Sequence, residues 1–132
     1  MIRAKKSLGQ NFLIDREVLE KITNVVQIKD KTIIEVGPGT GNLTSFILKK
    51  NPKKMFVIEK DDDLAINLSE TFKDQLTIIN DDILQVDENL IFKNKVTVFG
   101  NLPYNISTEI LSKWITQIKD EFWFNNLILM FQ

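Results

Sequence analysis

The sequence predicts an α/β fold, in which a parallel β-sheet is flanked by helices. Three observations support this prediction: five short runs of apolar and mostly β-branched residues, helical periodicity between the runs, and a Gly-rich turn that joins the first run to a helix. Nearly continuous apolar runs are typical of parallel strands that are buried on both faces. Strands that alternate with helices along the chain favour parallel pairing through right-handed crossovers.

The composition is that of one soluble globular domain. The chain has 132 residues, of which 43% are hydrophobic and 27% are charged, and this length suits one domain better than two. No apolar run approaches the length of a membrane span, and the N-terminus lacks the apolar segment of a signal peptide. The absence of Cys and His excludes disulfides, thiolate chemistry and the usual zinc sites. The formal net charge of −1 argues against a globally basic surface for nucleic acid.

The apolar runs define five predicted strands. They occupy residues 32–36, 55–58, 76–79, 96–99 and 127–131. The last of these strands ends almost at the C-terminus, where a hydrophobic strand would leave an exposed sheet edge. We therefore expect the chain to be part of a longer protein.

Between the strands, apolar residues at helical spacing predict four helices. The first helix begins after the candidate N-cap Asp15, and the last begins at Ser107 or Thr108. The stretch 82–95 is less regular and leaves room for a short helix. The apolar positions that define the four helices are Val18, Leu19, Ile22, Val25 and Val26, then Leu43, Phe46 and Ile47, then Leu64, Ala65, Leu68 and Phe72, and finally Ile110, Leu111, Trp114, Ile115 and Ile118.

A nucleotide-binding pattern follows the first three strands. The first strand runs into Gly37-Pro38-Gly39-Thr40-Gly41, where alternate glycines allow a tight turn and close approach of a ligand. Glu59 ends the second strand, at a position where a carboxylate can accept hydrogen bonds from both ribose hydroxyls. Asp82 follows the third strand and could accept from an adenine amine. Either acid alone is equally consistent with a solvated strand end, but together with the Gly turn they indicate a ligand site at the carboxyl edge of the sheet.

The fourth strand is followed by Asn101-Leu102-Pro103-Tyr104. The Asn101 side-chain oxygen can accept an N–H bond from the exocyclic amine of a base. Pro103 forces Leu102 into an extended conformation, which can aim the Leu102 carbonyl at the same amine. The ring of Tyr104 offers a stacking surface worth roughly 1–3 kcal/mol per base. The simpler alternative is a Pro-containing turn with a core tyrosine.

A nicotinamide dinucleotide site would share the Gly turn and Glu59. Two features oppose it. The glycine spacing is G-x-G-x-G rather than G-x-G-x-x-G, and hydride transfer has no use for the Asn-Leu-Pro-Tyr segment.

Taken together, the motifs strongly resemble those of the ribosomal RNA adenine N6-dimethyltransferases, the KsgA group. The resemblance covers nearly the whole chain in the family's order, and the combination of motifs is highly specific. The matching segments are Leu8-Gly9-Gln10-Asn11-Phe12-Leu13, Glu35-Val36-Gly37-Pro38-Gly39-Thr40-Gly41, Val57-Ile58-Glu59, Asp82, and Gly100-Asn101-Leu102-Pro103-Tyr104-Asn105-Ile106-Ser107.

The resemblance implies a Rossmann-like S-adenosylmethionine-dependent methyltransferase fold. On this view residues 1–132 form an incomplete methyltransferase domain, truncated after the fifth strand and lacking the family's helical C-terminal domain. S-adenosylmethionine is the implied cofactor, no metal is implied, and Asn101, Leu102 and Tyr104 are the implied catalytic residues. The implied cofactor contacts are Asn11, Leu13, Gly37, Gly39, Glu59, Asp82 and Asn101.

The resemblance also implies a function, the N6-dimethylation of adenines in small-subunit (16S) ribosomal RNA during ribosome biogenesis. The implied protein is a cytoplasmic monomer without membrane association that acts on ribosomal RNA or the small subunit. Two alternatives stay open: an Erm-type enzyme acting on large-subunit (23S) RNA, or a non-catalytic RNA-binding assembly factor. A DNA adenine methyltransferase also uses Asn-x-Pro-Tyr, but the segment Gln10-Asn11-Phe12 argues against it. Residues 8–11 and Leu102 favour the small-subunit enzyme over the Erm group, and the intact Asn101 and Tyr104 argue against lost chemistry.

Overall fold

The protein forms a single parallel β-sheet within residues 15–88, 95–116 and 123–130, the parts of the chain that the computed structural model describes. The strands are β1 (Thr32–Val36), β2 (Lys54–Ile58), β3 (Thr77–Ile79), β4 (Val96–Asn101) and β5 (Phe124–Met130). Their order in the sheet is β3-β2-β1-β4-β5, and every neighbouring pair is parallel. The predicted parallel sheet is therefore confirmed.

Two strands differ from their predicted bounds in ways that matter for the site. β4 continues to Asn101, because Gly100 pairs with Val36 and Asn101 pairs with Met130. Asn101 is therefore a strand residue rather than the first residue after the strand. β5 begins at Phe124 instead of residue 127. Asn125 and Asn126 interrupt the apolar pattern there, but Phe124 pairs with Val96 and Asn126 pairs with Thr97, with an irregularity in the register at Asn125. The predicted end of this strand, Phe131, lies outside the described residues.

The helices within the described ranges cover both faces of the sheet. They are α1 (Arg16–Thr23), α2 (Asn42–Leu48), α3 (Asp62–Phe72) and α4 (Tyr104–Thr116), and a 3₁₀ turn at Lys73–Gln75 follows α3. None of them has the length and apolar character needed to cross a membrane.

The structure shows which residues begin α1 and α4, the two helices for which the sequence predicts an N-cap. Asp15 is the N-cap of α1, as predicted, and its side chain accepts from the backbone N–H of Glu17 at 2.9 Å. The predicted cap of α4 is wrong. The helix begins directly after Pro103, whose carbonyl accepts the backbone N–H of Ser107 at 3.0 Å. Ser107 and Thr108 therefore lie inside the helix.

Two apolar residues at predicted helix-face positions are exposed. Val25 follows the end of α1 and is 66% exposed, and Ile115 lies on the outer side of α4 and is 61% exposed. Ile118 lies outside the described residues. In the irregular stretch after β3, residues 83–85 form a turn.

The core consists of two clusters, one on each face of the sheet. Successive side chains of a strand point to opposite faces. Accordingly Ile33 of β1 packs with residues of α1, α2 and α3, whereas Ile34 and Val36 pack with Ile110 and Trp114 of α4. This three-layer arrangement holds the carboxyl ends of β1, β2 and β4 together at one edge.

Candidate functional site

A cavity of about 710 Å³ lies at the carboxyl edge of the sheet. It brings together five of the predicted site residues, from four separate segments of the chain. These are Gly37 after β1, Glu59 after β2, Asp82 after β3, and Asn101 and Leu102 at the end of β4. The position agrees with the general preference of open α/β sheets for ligands beyond the carboxyl ends of their strands.

The other predicted site residues are Gly39, Tyr104, Asn11 and Leu13. Gly39 lines a narrow neighbouring cavity that Asn101 also borders. Tyr104 is the first residue of α4. Asn11 and Leu13 lie outside the described residues, and so does the side chain of Tyr104.

The Gly-rich turn is held in a conformation that glycine adopts readily. Gly37, Gly39 and Gly41 have φ angles of 68°, 58° and 93°, a region where a Cβ atom is strained. Space is a second constraint, because a Cβ atom on Gly37 would collide with Cδ2 of Leu102. The Gly turn and the Asn101–Leu102 segment are therefore packed directly against each other.

The Glu59 carboxylate is fixed by backbone amides on both sides. Its Oε1 accepts from the N–H of Gly39 at 3.2 Å, and its Oε2 accepts from the N–H of Asp61 at 3.1 Å. Burial raises the pKa of Glu59, while these two hydrogen bonds act in the opposite direction. The carboxylate thus connects the Gly turn to the start of α3 and keeps free lone pairs for a ligand.

Acidic residues dominate the charged lining of the cavity. Glu59, Asp61, Asp81 and Asp82 contribute carboxyl groups, against a single cation from Lys60. Such a lining favours a ligand that carries positive charge and disfavours a pyrophosphate. Within the described ranges, no group of three or more acidic side chains is arranged to hold a metal ion.

Asn101, the last residue of β4, and Leu102 directly after it both line the cavity. The Asn101 side chain is only 7% exposed, and among the described residues it has no hydrogen-bond partner. The Leu102 carbonyl accepts from Oγ of Ser107 at 3.3 Å. Ser107 is fully buried, so the hydroxyl that the sequence suggested as a helix cap instead orients a carbonyl of the candidate site.

A buried acid beside the Gly turn was not predicted as a separate feature. Glu35 of β1 is 1% exposed, and one of its oxygens accepts from Oγ1 of Thr44 in α2 at 2.5 Å. Burial raises the pKa of Glu35 to about 8, and the nearby Glu59 charge adds to the increase. The signal in the sequence was a carboxylate in the middle of an apolar strand, which an ionised group seldom occupies.

We expect Glu35→Gln to change the pH dependence of stability. In the folded protein Glu35 keeps its proton up to about pH 8, whereas in the unfolded chain it loses the proton near the ordinary pKa of 4.5. Raising the pH between these values therefore favours unfolding, by at most about 1.4 kcal/mol per pH unit. Gln cannot ionise, so the free energy of unfolding of the variant should fall less steeply than that of the unsubstituted protein.

Urea unfolding between pH 5 and pH 8 measures this difference, with the exposed Glu109→Gln as a matched control. Parallel pH profiles for Glu35→Gln and the unsubstituted protein would mean that Glu35 is ionised in the folded state.

Relatives with established names match almost the entire chain. A ribosomal RNA small subunit methyltransferase A from Pelagibacter ubique (strain HTCC1062) is 66% identical over 131 residues, which is 99% of this chain and 50% of the relative. A protein of the same name from Wolbachia pipientis subsp. Culex pipiens (strain wPip) is 41% identical and covers 100% of this chain and 50% of the relative. The chain therefore spans about half the length of these curated relatives.

Solved structures confirm the Rossmann-like methyltransferase fold. The 23S rRNA methyltransferase ErmE superimposes with a TM-score of 0.75 over 89% of this chain and 46% of its own, and at 21% identity this likeness establishes the fold alone. A dimethyladenosine transferase from Plasmodium falciparum superimposes with a TM-score of 0.70 at 28% identity, over 89% of this chain and 42% of its own. The family model described as ribosomal RNA adenine dimethylase matches residues 1–132, and the chain therefore belongs to the ribosomal RNA adenine dimethylase family.

Proposed function

We propose that this chain forms the cofactor-binding and catalytic part of an S-adenosylmethionine-dependent enzyme that dimethylates N6 of adenines in small-subunit (16S) ribosomal RNA. The observation that carries the proposal is the side chain of Asn101. It is buried at the junction of the Gly turn and the cavity, yet no described residue bonds to it. An amide that lies at the cavity without a partner among the described residues is available to a ligand, and an adenine amine would supply that partner. The names of the curated relatives support the same substrate.

The cavity suits S-adenosylmethionine better than a dinucleotide. In our proposal Glu59 accepts from the ribose hydroxyls, Asp82 accepts from the adenine amine, and Gly37, Gly39 and Asn101 contact the rest of the cofactor. Asn11 and Leu13 complete this set as expectations from the family motif. S-adenosylmethionine carries a sulfonium and an ammonium group, both of which the surrounding carboxylates favour. The pyrophosphate of a nicotinamide dinucleotide would be repelled by the same groups.

The residues at the end of β4 activate the target amine by geometry rather than by a base. The lone pair of the adenine amine is delocalised into the ring, which makes the amine a poor nucleophile. Hydrogen bonds from the amine to the Asn101 side chain and the Leu102 carbonyl favour a tetrahedral nitrogen and localise the lone pair. Ser107 holds that carbonyl in place, and Tyr104 stacks on the extruded base.

The bound cofactor supplies a methyl group that its sulfonium already activates. The contribution of the protein is therefore alignment, and no strong base is required. The amine proton passes to solvent after transfer. We further propose that the enzyme acts as a monomer in the cytoplasm on the small ribosomal subunit, as the family motif implies.

The proposal is tested with the full-length natural protein, methyl-labelled S-adenosylmethionine and immature small ribosomal subunits. Mass spectrometry of the RNA nucleosides should detect N6,N6-dimethyladenosine in 16S RNA. Methylation of 23S RNA alone would instead support an Erm-type activity. Binding to the small subunit without methyl transfer would support a non-catalytic assembly factor. Sedimentation of the same preparation tests the monomer.

A further inference from the structure

A buried ammonium group ties α4 to the segment that follows β3. Nζ of Lys113 donates to the carbonyl of Ile83 at 2.6 Å, to the carbonyl of Val86 at 2.5 Å and to Oε1 of Glu88 at 2.7 Å. These three bonds use all three donors of the ammonium group. The side chains of Lys113 and Glu88 are only 12% and 1% exposed.

The next residue of the helix reinforces the same contact. Nε1 of Trp114 donates to Oε1 of Glu88 at 2.7 Å. The Trp114 ring is 2% exposed and packs edge-on against Trp123, with the ring centroids 5.1 Å apart. Two consecutive side chains of α4 therefore hold residues 83–88 at several points. We call this group, Glu88, Lys113 and Trp114, the α4 clamp.

The clamp connects two opposite walls of the cavity. Asp82, Ile83 and Leu84 line the wall on the β3 side, and Ile83 itself supplies one of the two carbonyls that Lys113 binds. The other wall consists of Leu102 and Pro103 and continues into the first turn of α4. Lys113 lies on that same helix, and a helix transmits a displacement along its axis as a nearly rigid rod. The bonds of Lys113 therefore link the segment that carries Asp82 to the helix that follows the Asn101–Leu102 segment.

A contribution to the stability of the fold does not by itself explain why Lys113 and Glu88 form a buried ion pair. Moving two charges out of water is costly, and replacing such a pair by apolar residues of similar size is often neutral or stabilising. What an apolar pair cannot reproduce is a directed bond from the helix to the Ile83 and Val86 carbonyls. The geometry therefore points to a role in alignment.

We propose that Lys113 and Glu88 are positioning residues, which set the spacing between the cofactor wall at Asp82 and the base-holding segment at Asn101. The proposal rests on the proposed function. It adds that neither residue contacts substrate or cofactor, and that both act through the two walls of the cavity.

The test separates alignment from stability with a single and a double variant of the full-length protein. Lys113→Met leaves the Glu88 charge buried without its cation, so it should lower the melting temperature. It should also weaken S-adenosylmethionine binding and slow single-turnover methylation, each by about tenfold. Glu88→Gln/Lys113→Met removes both charges, keeps an amide oxygen that can accept from Nε1 of Trp114, and should regain much of the lost melting temperature. The double variant should nevertheless keep the weak binding and the slow rate, because the carbonyls of Ile83 and Val86 still lack the ammonium donor of α4.

The exposed Lys21→Met, in the last turn of α1, is the matched control and should behave like the unsubstituted protein. If the double variant regains S-adenosylmethionine affinity and the single-turnover rate together with its melting temperature, the clamp contributes to stability only and the proposal is wrong. A folded Lys113→Met protein with unchanged binding and rate would overturn the proposal as well. Failure of the unsubstituted protein to bind S-adenosylmethionine would be a different result, because it would overturn the proposed function and the clamp's role together.

Discussion

Asn101→Ala in the full-length protein is expected to lower the single-turnover rate of methyl transfer by about 10²–10³-fold, or roughly 2.7–4 kcal/mol, by analogy with the loss of one preorganised transition-state hydrogen bond. The effect should be large because the variant removes the acceptor that, in the proposed mechanism, localises the lone pair of the target amine. The fold should survive, since the pairing of Asn101 with Met130 uses only backbone atoms and among described residues its side chain has no partner to lose. Rapid-quench measurements at saturating cofactor and RNA give the rate.

The matched control is Asn105→Ala. Asn105 lines the same cavity but is exposed on the first turn of α4, so its loss should change the rate little. Asn101 also borders the cofactor side of the site, and some loss of cofactor affinity is therefore expected together with the slower rate. An unchanged turnover number in a folded Asn101→Ala variant would show that its amide does not hold the amine.

The sheet was predictable because its strands are buried on both faces. β1 carries Ile33 and Ile34 to opposite clusters, so both positions must be apolar and the run is visible without any contact information. β5 was harder, because Asn125 and Asn126 are exposed, and the start of the strand is identified only by the pairing of Phe124 and Asn126 with β4. A pattern of apolar residues indicates which residues are buried. It therefore misses the end of a strand where the residues are exposed but the backbone still pairs with a neighbour.

The carboxyl edge of the sheet was predictable for a related reason. Parallel strands end at the same edge, so acids after β2 and β3 must come close to a Gly turn after β1. Glu59, Asp82 and Asn101 do line one cavity. What the sequence could not provide was the direction of individual bonds, such as the one from Ser107 to the Leu102 carbonyl.

The α4 clamp was invisible in the sequence. Glu88 and Lys113 are 25 positions apart, and each looks like an ordinary charged surface residue in its own segment. Their pairing depends on how α4 packs over the turn at residues 83–85. Such contacts between separate elements follow from tertiary packing, for which no local pattern exists.

Glu59→Ala is expected to weaken S-adenosylmethionine binding by more than a single hydrogen bond. Each ribose hydroxyl bonded to a charged acceptor contributes roughly 1.5–3 kcal/mol. The structure adds a second loss, because the same carboxylate accepts from the Gly39 amide and holds the Gly turn. We therefore expect at least a hundredfold increase in the dissociation constant, which corresponds to about 2.7 kcal/mol, measured by calorimetry on the folded variant.

The pH dependence of binding provides an independent measurement. Burial raises the pKa of Glu59 in the empty protein, whereas ribose hydroxyls donate to the ionised form and favour it. Affinity should therefore fall as the pH is lowered through that raised pKa, and Glu59→Gln should remove this dependence. The exposed Glu70→Ala, in the last turn of α3 and outside the cavity lining, is the control for loss of an acid elsewhere on the surface. A folded Glu59→Ala protein that binds S-adenosylmethionine with unchanged affinity would refute the ribose assignment, and a preference for nicotinamide dinucleotide would refute the cofactor itself.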